Sequence, residues 1–200
     1  MKNPLYYQAT EYDCGPASML NAVSYLFERE EIPPVVVKTI MAYCLDRPNE
    51  RGEACKGGTS PAAMKRLSDW LNQYRQTDRF PIGCEYLSGG EVAAEPGGRI
   101  VRRLGNGEAA VLRVWHGCEH YVLLTGADAG GVFLFDPYFM EKLPFDKNGI
   151  EIIPDAPTRP NRKIAYEILN AEGKGFYEMG PKDAREAVIV SNLNLKKGTV

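Results

Sequence analysis

Apolar and polar positions alternate along this chain in two different rhythms. From Gly15 to about Glu30, Met19, Leu20, Val23, Leu26 and Phe27 recur at helical spacing, and Pro16 suits a first helical turn. A second helix is expected over Val35 to Leu45, after the Pro33-Pro34 breaker, with Val36, Val37, Ile40, Met41 and Cys44 on one face. Residues 46 to 58 are polar and read as a loop. Thr59-Ser60-Pro61 then supplies a cap and a proline, opening a third helix through Trp70 to about Tyr74 with Met64, Leu67 and Leu71 inward.

The rhythm changes after Gly89-Gly90 and Pro96-Gly97-Gly98. Ile100 to Leu104 reads as one or two helical turns. Apolar runs then follow at Ala109 to Trp115, Tyr121 to Thr125 and Val132 to Phe135, joined by turns rich in Gly or Asp, as in an antiparallel meander. Lys163 to Leu169 and Ala187 to Val190 read as further strands. Helices first and strands later predict an α+β fold, not the alternation of a doubly wound sheet. There is no internal repeat and no low-complexity tract.

Composition narrows the class. Two hundred residues with 44% apolar side chains suffice for one core, so a single domain over 1–200 is expected, with a helical half over about 1–80 and a sheet half over about 81–200. A net charge of -2, with both signs mixed along the chain, gives no field that would recruit nucleic acid or an anionic membrane. Five cysteines, at 14, 44, 55, 84 and 118, are an odd number in a chain too long to need disulfide staples, which favours a reducing compartment. With no signal-peptide core and no apolar run of membrane-spanning length, a cytoplasmic location is expected, unless a leader has been removed. Oligomeric state leaves no mark on the sequence.

One group of residues carries chemistry. A cysteine becomes a strong nucleophile when a helix N-terminus or a neighbouring imidazolium stabilises its thiolate. Cys14 stands where the first helix is expected to begin, flanked by Asp13 and Gly15-Pro16. An isolated cysteine in that place is more often a small buried residue. The chain has two histidines for a base, His116 and His120. His120 opens the run Tyr121-Val122-Leu123-Leu124, and His116 lies in the connection before it. A working histidine is oriented by a third group. Asp136 ends the run Val132 to Phe135, and a hairpin around Gly126 to Gly131 would set it beside His120. An aspartate before proline otherwise caps a turn. Gln8, six residues before Cys14, could turn its amide toward an oxyanion, with the Cys14 backbone N–H as second donor.

The segments Gln8-Ala9-Thr10-Glu11-Tyr12-Asp13-Cys14-Gly15-Pro16-Ala17, His120-Tyr121-Val122 and Phe135-Asp136-Pro137 together resemble the bacteriocin-processing, double-glycine leader peptidases (family C-thirty-nine) of the papain-like clan. The resemblance covers roughly residues 5 to 140, with Gly58-Thr59-Ser60 similar to the turn before that family's later helix. It implies a papain-like fold, a helical half bearing the nucleophile against a sheet half bearing the base. It also implies roles: Gln8 at the oxyanion hole, Cys14 attacking, His120 as base and then acid, Asp136 orienting it. The best-known members cut after Gly-Gly and are fused to a membrane transporter with an ATPase. This sequence contains neither transmembrane segments nor a phosphate-binding loop, so double-glycine specificity is not carried over. Residues 46 to 56 and those beyond about Pro144 have no counterpart in the resemblance.

The expected activity is therefore a cysteine peptidase or isopeptidase acting on a peptide or small-protein substrate, without a cofactor. Acyl transfer or deamidation through the same thiol is a second reading, because an acyl-enzyme is resolved by water or by an amine. A non-catalytic binding module on the same fold is a third. Two histidines with Cys118 between them could suggest zinc, but at a turn into a strand the helical i, i+4 geometry does not apply.

Overall fold

The computed structural model describes residues 3–142, 148–153 and 159–195. Helices α1 (Cys14–Leu26), α2 (Pro34–Cys44) and α3 (Pro61–Asp78) come first. They are followed by strands β1 (Ile82–Ser88), β2 (Ala109–Trp115), β3 (Glu119–Asp128), β4 (Gly131–Phe135), β5 (Ile150–Ile152), β6 (Arg162–Ile164) and β7 (Glu186–Asn192), with short helices α4 (Arg99–Gly105) and α5 (Tyr166–Leu169) between them. The seven strands form one antiparallel sheet in the order β1-β7-β2-β3-β4-β6-β5. The fold is α+β, as expected, with helices packed on an antiparallel sheet. Among the described residues no helix is long and apolar enough to cross a membrane.

Both sheet faces are covered. Val111, Tyr121, Leu123, Val188 and Val190 pack with the buried stripes of α1 to α3, including Met19, Val23, Ile40, Met64 and Leu67. Their strand neighbours Leu112, Val122, Leu124 and Ile189 meet Ile100 and Leu104 of α4 and Ile168 and Leu169 of α5. A strand buried on both faces has no polar side to alternate with, so β2 and β3 read as continuous apolar runs.

Several boundaries move for physical reasons. Helix α1 stops at Leu26, four residues short of the expected end, where Phe27 turns extended. Asn192 donates to the Leu26 carbonyl (3.0 Å) and Asn3 to that of Phe27 (3.2 Å), so tertiary amides take over terminal backbone acceptors. On α2 the buried stripe is only Val36, Ile40 and Cys44, while Val37 and Met41 stay well exposed. Helix α3 runs past Tyr74 to Asp78, capped by Ser60 and closed by Arg79 in the left-handed region (φ 58°). The expected strand from Lys163 to Leu169 is half right: extended pairing lasts only to Ile164, after which one helical turn begins. Strands β1 and β5 were not expected. The free edge of β1 is met by Asn72 of α3, whose amide exchanges two hydrogen bonds with the Cys84 backbone (2.8 and 2.9 Å). Strand β7 lies between β1 and β2, so the expected meander of β2, β3 and β4 stays intact and is flanked by a strand from far along the chain.

Candidate active site

Cys14 is the first residue of α1 and is nearly buried. Asp13 precedes it but does not cap the helix with its side chain. Its carboxylate instead folds back on Thr10, accepting from the backbone N–H (3.1 Å) and the hydroxyl (2.6 Å). That closes the turn before Cys14 while keeping the carboxylate off the first-turn N–H groups, where the helix dipole favours a thiolate. Gly15 lets this helix start approach the next element. A Cβ there would run into Thr59, whose own hydroxyl donates to the Cys44 carbonyl.

Two side chains dock α1 against its surroundings. Ser18 Oγ donates to the Tyr121 carbonyl (2.9 Å), fixing α1 to the strand that begins at Glu119. Asn21 brackets the backbone of Tyr6 (2.8 and 2.9 Å), tying the N-terminal arm to the same helix. The arm then reaches the far end of β4: Gln8 N–H donates to Pro137 O (2.8 Å), and the Tyr7 ring packs on Phe135 and Phe139.

His120 is the second residue of β3, opposite Val114, while β4 ends at Phe135 opposite Leu123. This is the expected hairpin, and it brings His120 Nε2 within 2.7 Å of Asp136 Oδ1. On its other side the ring faces the helical half, where the Cys14 side chain lies close enough to raise the His120 value. With Nε2 committed to the carboxylate, Nδ1 is the nitrogen left for the sulfur.

The charges follow from this geometry. Burial disfavours an imidazolium at His120, but the Asp136 charge and hydrogen bond, with Cys14 adding to them, outweigh it and raise the ring to about 10. Burial likewise works against the Asp136 carboxylate. His120 and the Tyr177 hydroxyl outweigh it, and the group falls to about 2.

His116 is placed differently. Its backbone N–H closes the β2–β3 turn on Cys118 O (2.8 Å), with Gly117 in the left-handed region (φ 80°). Its ring lies 5.1 Å from that of His120, among Tyr138, Phe176 and Tyr177. Burial pushes His116 below the usual imidazole value. It packs against the His120 ring and does not take its place beside Asp136. Among the described residues no cluster of three or more His, Cys, Asp or Glu side chains is arranged to hold a metal.

Gln8 belongs to the N-terminal arm that precedes Cys14. It lines a groove of about 520 Å³ with Thr10, Glu11, Tyr12, Tyr138 and Phe139. Its Nε2 donates to Thr10 O (2.7 Å), which also fixes the orientation of the carboxamide, since the flipped amide would set oxygen against oxygen. A smaller, mostly apolar hollow of about 170 Å³ adjoins it between the arm and α1, lined by Tyr6, Gln8, Asp13, Ala17, Leu20 and Met41.

Sequence reasoning missed the residues behind Asp136. Asn161 brackets its backbone, accepting from N–H (2.8 Å) and donating to C=O (2.9 Å). Tyr177 donates its hydroxyl to Oδ2 (2.7 Å). Both residues follow Asp136 by more than a score of positions, and no local pattern ties them to it. The only trace is a polar pair, Asn161-Arg162, at the head of a short apolar segment.

No protein-family model matches the chain, and no curated protein matches its sequence. Among solved structures it is similar to a double glycine motif protease from an AMS/PCAT transporter, in complex with the leader peptide. The TM-score is 0.40 at 13% identity, over 95% of this chain and 90% of that one.

Proposed function

We propose that this chain is a cysteine peptidase or isopeptidase that hydrolyses an amide bond of a peptide or small-protein substrate. The observation that carries the reading is one imidazole, His120, that faces Cys14 at a helix N-terminus and is hydrogen-bonded to buried Asp136. His120 takes the thiol proton, and the Cys14 thiolate attacks the scissile carbonyl carbon. The oxyanion that forms is held by the Cys14 backbone N–H and by Gln8, whose Nε2 carries a second N–H besides the one given to Thr10. The imidazolium then gives its proton to the leaving amine as the C–N bond breaks, leaving a thioester on Cys14. Water, deprotonated by His120, attacks the thioester and releases the carboxylate and the thiol. Asp136 holds the ring in the required tautomer throughout. On this reading the groove along Gln8 to Tyr12, faced by Tyr138 and Phe139, receives the peptide.

Free thiols at all five cysteines fit a reducing, cytoplasmic setting. The decisive experiment is turnover of a peptide library by the wild type and by Cys14→Ser, with and without an added primary amine. New C-terminal carboxylates formed only by the wild type support hydrolysis. New amides in place of carboxylates would assign acyl transfer, and identical peptide profiles for both proteins would overturn the reading.

A further inference from the structure

Asp136 has more partners than orienting His120 requires. Oδ1 accepts from His120 Nε2 (2.7 Å) and from the Tyr138 backbone N–H (2.8 Å), while Oδ2 accepts from the Tyr177 hydroxyl (2.7 Å). The carboxylate is fully buried, so these donors replace water. The phenol is itself held from behind, because Arg162 Nε donates to its oxygen (3.2 Å). Arg162 is buried too. Its two remaining nitrogens donate to Asn161 O (2.8 Å) and Met140 O (2.9 Å), which fixes the plane of the guanidinium. An oxygen that accepts from Arg162 points its own proton away from that cation, and Asp136 lies in that direction.

The backbone around Tyr177 is built to deliver this hydroxyl. Tyr177 has φ 64°, in the left-handed region that a bulky residue seldom occupies. Hydrogen bonds on either side hold it there: Tyr177 N–H to Trp115 O (2.7 Å) and Trp115 N–H to Glu178 O (2.8 Å). The segment is thus fastened to the end of β2, next to the turn that leads to His120. The side chain is fully buried, and burial followed by the Asp136 charge pushes its phenol well above the usual value, so it stays a donor.

We propose that Tyr177 and Arg162 are positioning residues for the same site: a guanidinium-to-phenol-to-carboxylate relay that clamps Oδ2 of Asp136 and thereby sets how strongly Oδ1 holds the His120 imidazolium. This deepens the reading of the site given above and rests on it only for the catalytic readout. A donor on Oδ2 withdraws charge from the carboxylate, so the imidazolium is held less tightly and yields its proton to the leaving amine more readily. Without that donor the carboxylate grips the ring harder.

The groups facing His120 from every side are Cys14 on α1, Asp136 after β4, His116 and Cys118 in the β2–β3 turn, and Tyr177 with Arg162 behind Asp136. The titration variants alter Tyr177 alone, and the double-mutant cycle adds Asp136. His120 ring titration followed by NMR in the full chain should move upward in Tyr177→Phe. A site-specific fluorotyrosine at 177, whose more acidic phenol donates more strongly, should move it downward. With a cleavable peptide, Tyr177→Phe should lower kcat about tenfold at nearly constant KM and shift the alkaline limb of kcat upward with the His120 titration. In an Asp136→Asn background the same substitution should add almost nothing. A His120 titration unmoved in both Tyr177 variants would overturn the relay. If Tyr177→Phe does not fold, the isosteric fluorotyrosine protein decides alone. A shifted titration in a protein that cleaves no peptide would leave the relay standing and remove the peptidase reading, so the two failures are distinct.

Discussion

His120 Nε2 and Asp136 Oδ1 lie 2.7 Å apart with their side chains only 6% and 1% exposed. Water cannot substitute for either partner, so the pair is linked to folding. The His120 value is raised above its unfolded 6.5 to about 10, so that contribution to stability is complete below pH 6.5 and is lost as pH rises through about 10. The Asp136 value is lowered from 3.8 to about 2, so its contribution is complete above pH 3.8 and is lost as pH falls through about 2. Both shifts describe one interaction and are not added. The difference in Tm between wild type and Asp136→Asn should be largest and flat between those two unfolded values, and should shrink on either side. Activity of Asp136→Asn should fall by about 10² to 10⁴. A difference in Tm that does not vary with pH would show that the pair is not ionised.

The five thiols should react very unequally. Burial pushes Cys44 and Cys84 up to about 12, which leaves almost no thiolate at neutral pH. Burial also raises Cys118, while Cys55 is exposed on a polar loop far from any imidazole in the chain's order. A thiol alkylator at substoichiometric dose should modify Cys14 first, read by peptide mass spectrometry, and His120→Ala should abolish that preference. Labelling spread evenly over all five positions would exclude a reactive Cys14.

The two histidines should separate cleanly. His116 touches rings, with Phe176 at 4.3 Å and His120 at 5.1 Å, and its buried Nε2 finds no hydrogen-bond partner among the described residues. An apolar ring should serve in its place. His116→Phe should keep peptide turnover within about threefold of wild type and leave Tm unchanged or higher, whereas His120→Phe should abolish turnover. Equal loss in the two variants would transfer the role of base to His116.

Much of this site is visible in the sequence because its parts are local. Cys14 is one helix start, and His120 and Asp136 flank one hairpin whose apolar runs announce themselves. What stayed hidden depends on distant chain segments. Tyr177 reaches Asp136 from 41 residues away, through a left-handed backbone that no turn residue signals. The placement of β7 beside β2 and the amides that end α1 likewise come from residues far along the chain. Periodicity reports which face of an element is buried, not which element covers it.

Gly15 tests how tightly the helix that begins at Cys14 is seated. Gly15→Ala removes no hydrogen bond and in an open helix would be stabilising. Here its Cβ meets buried Thr59. The collision should cost about 1–3 kcal/mol and move the helix start, so both urea midpoint and Cys14 alkylation rate should fall. A stabilised Gly15→Ala protein would show that the contact relaxes freely.

A buried carboxylate sits on the helical side of the sheet. Glu186, 2% exposed at the start of β7, accepts from the hydroxyls of Tyr121 and Tyr86 and lies 3.7 Å from Arg113 Nε. Burial, and then the Glu186 charge for Tyr121 and its hydrogen bond for Tyr86, push both phenols above their usual range, so both remain donors. Glu186→Ala leaves two phenols and part of a guanidinium without an acceptor, and truncating one member of a buried ionic network typically costs about 3–5 kcal/mol. Glu186→Gln keeps the shape and one acceptor oxygen, and should cost about 1–3 kcal/mol. Urea titrations should therefore rank wild type, Gln and Ala in that order. Because the Tyr121 carbonyl also receives Ser18 from α1, turnover by Glu186→Ala should be lost at lower urea than the global transition. Coincident loss of turnover and of far-ultraviolet circular dichroism would show that this corner unfolds only with the whole.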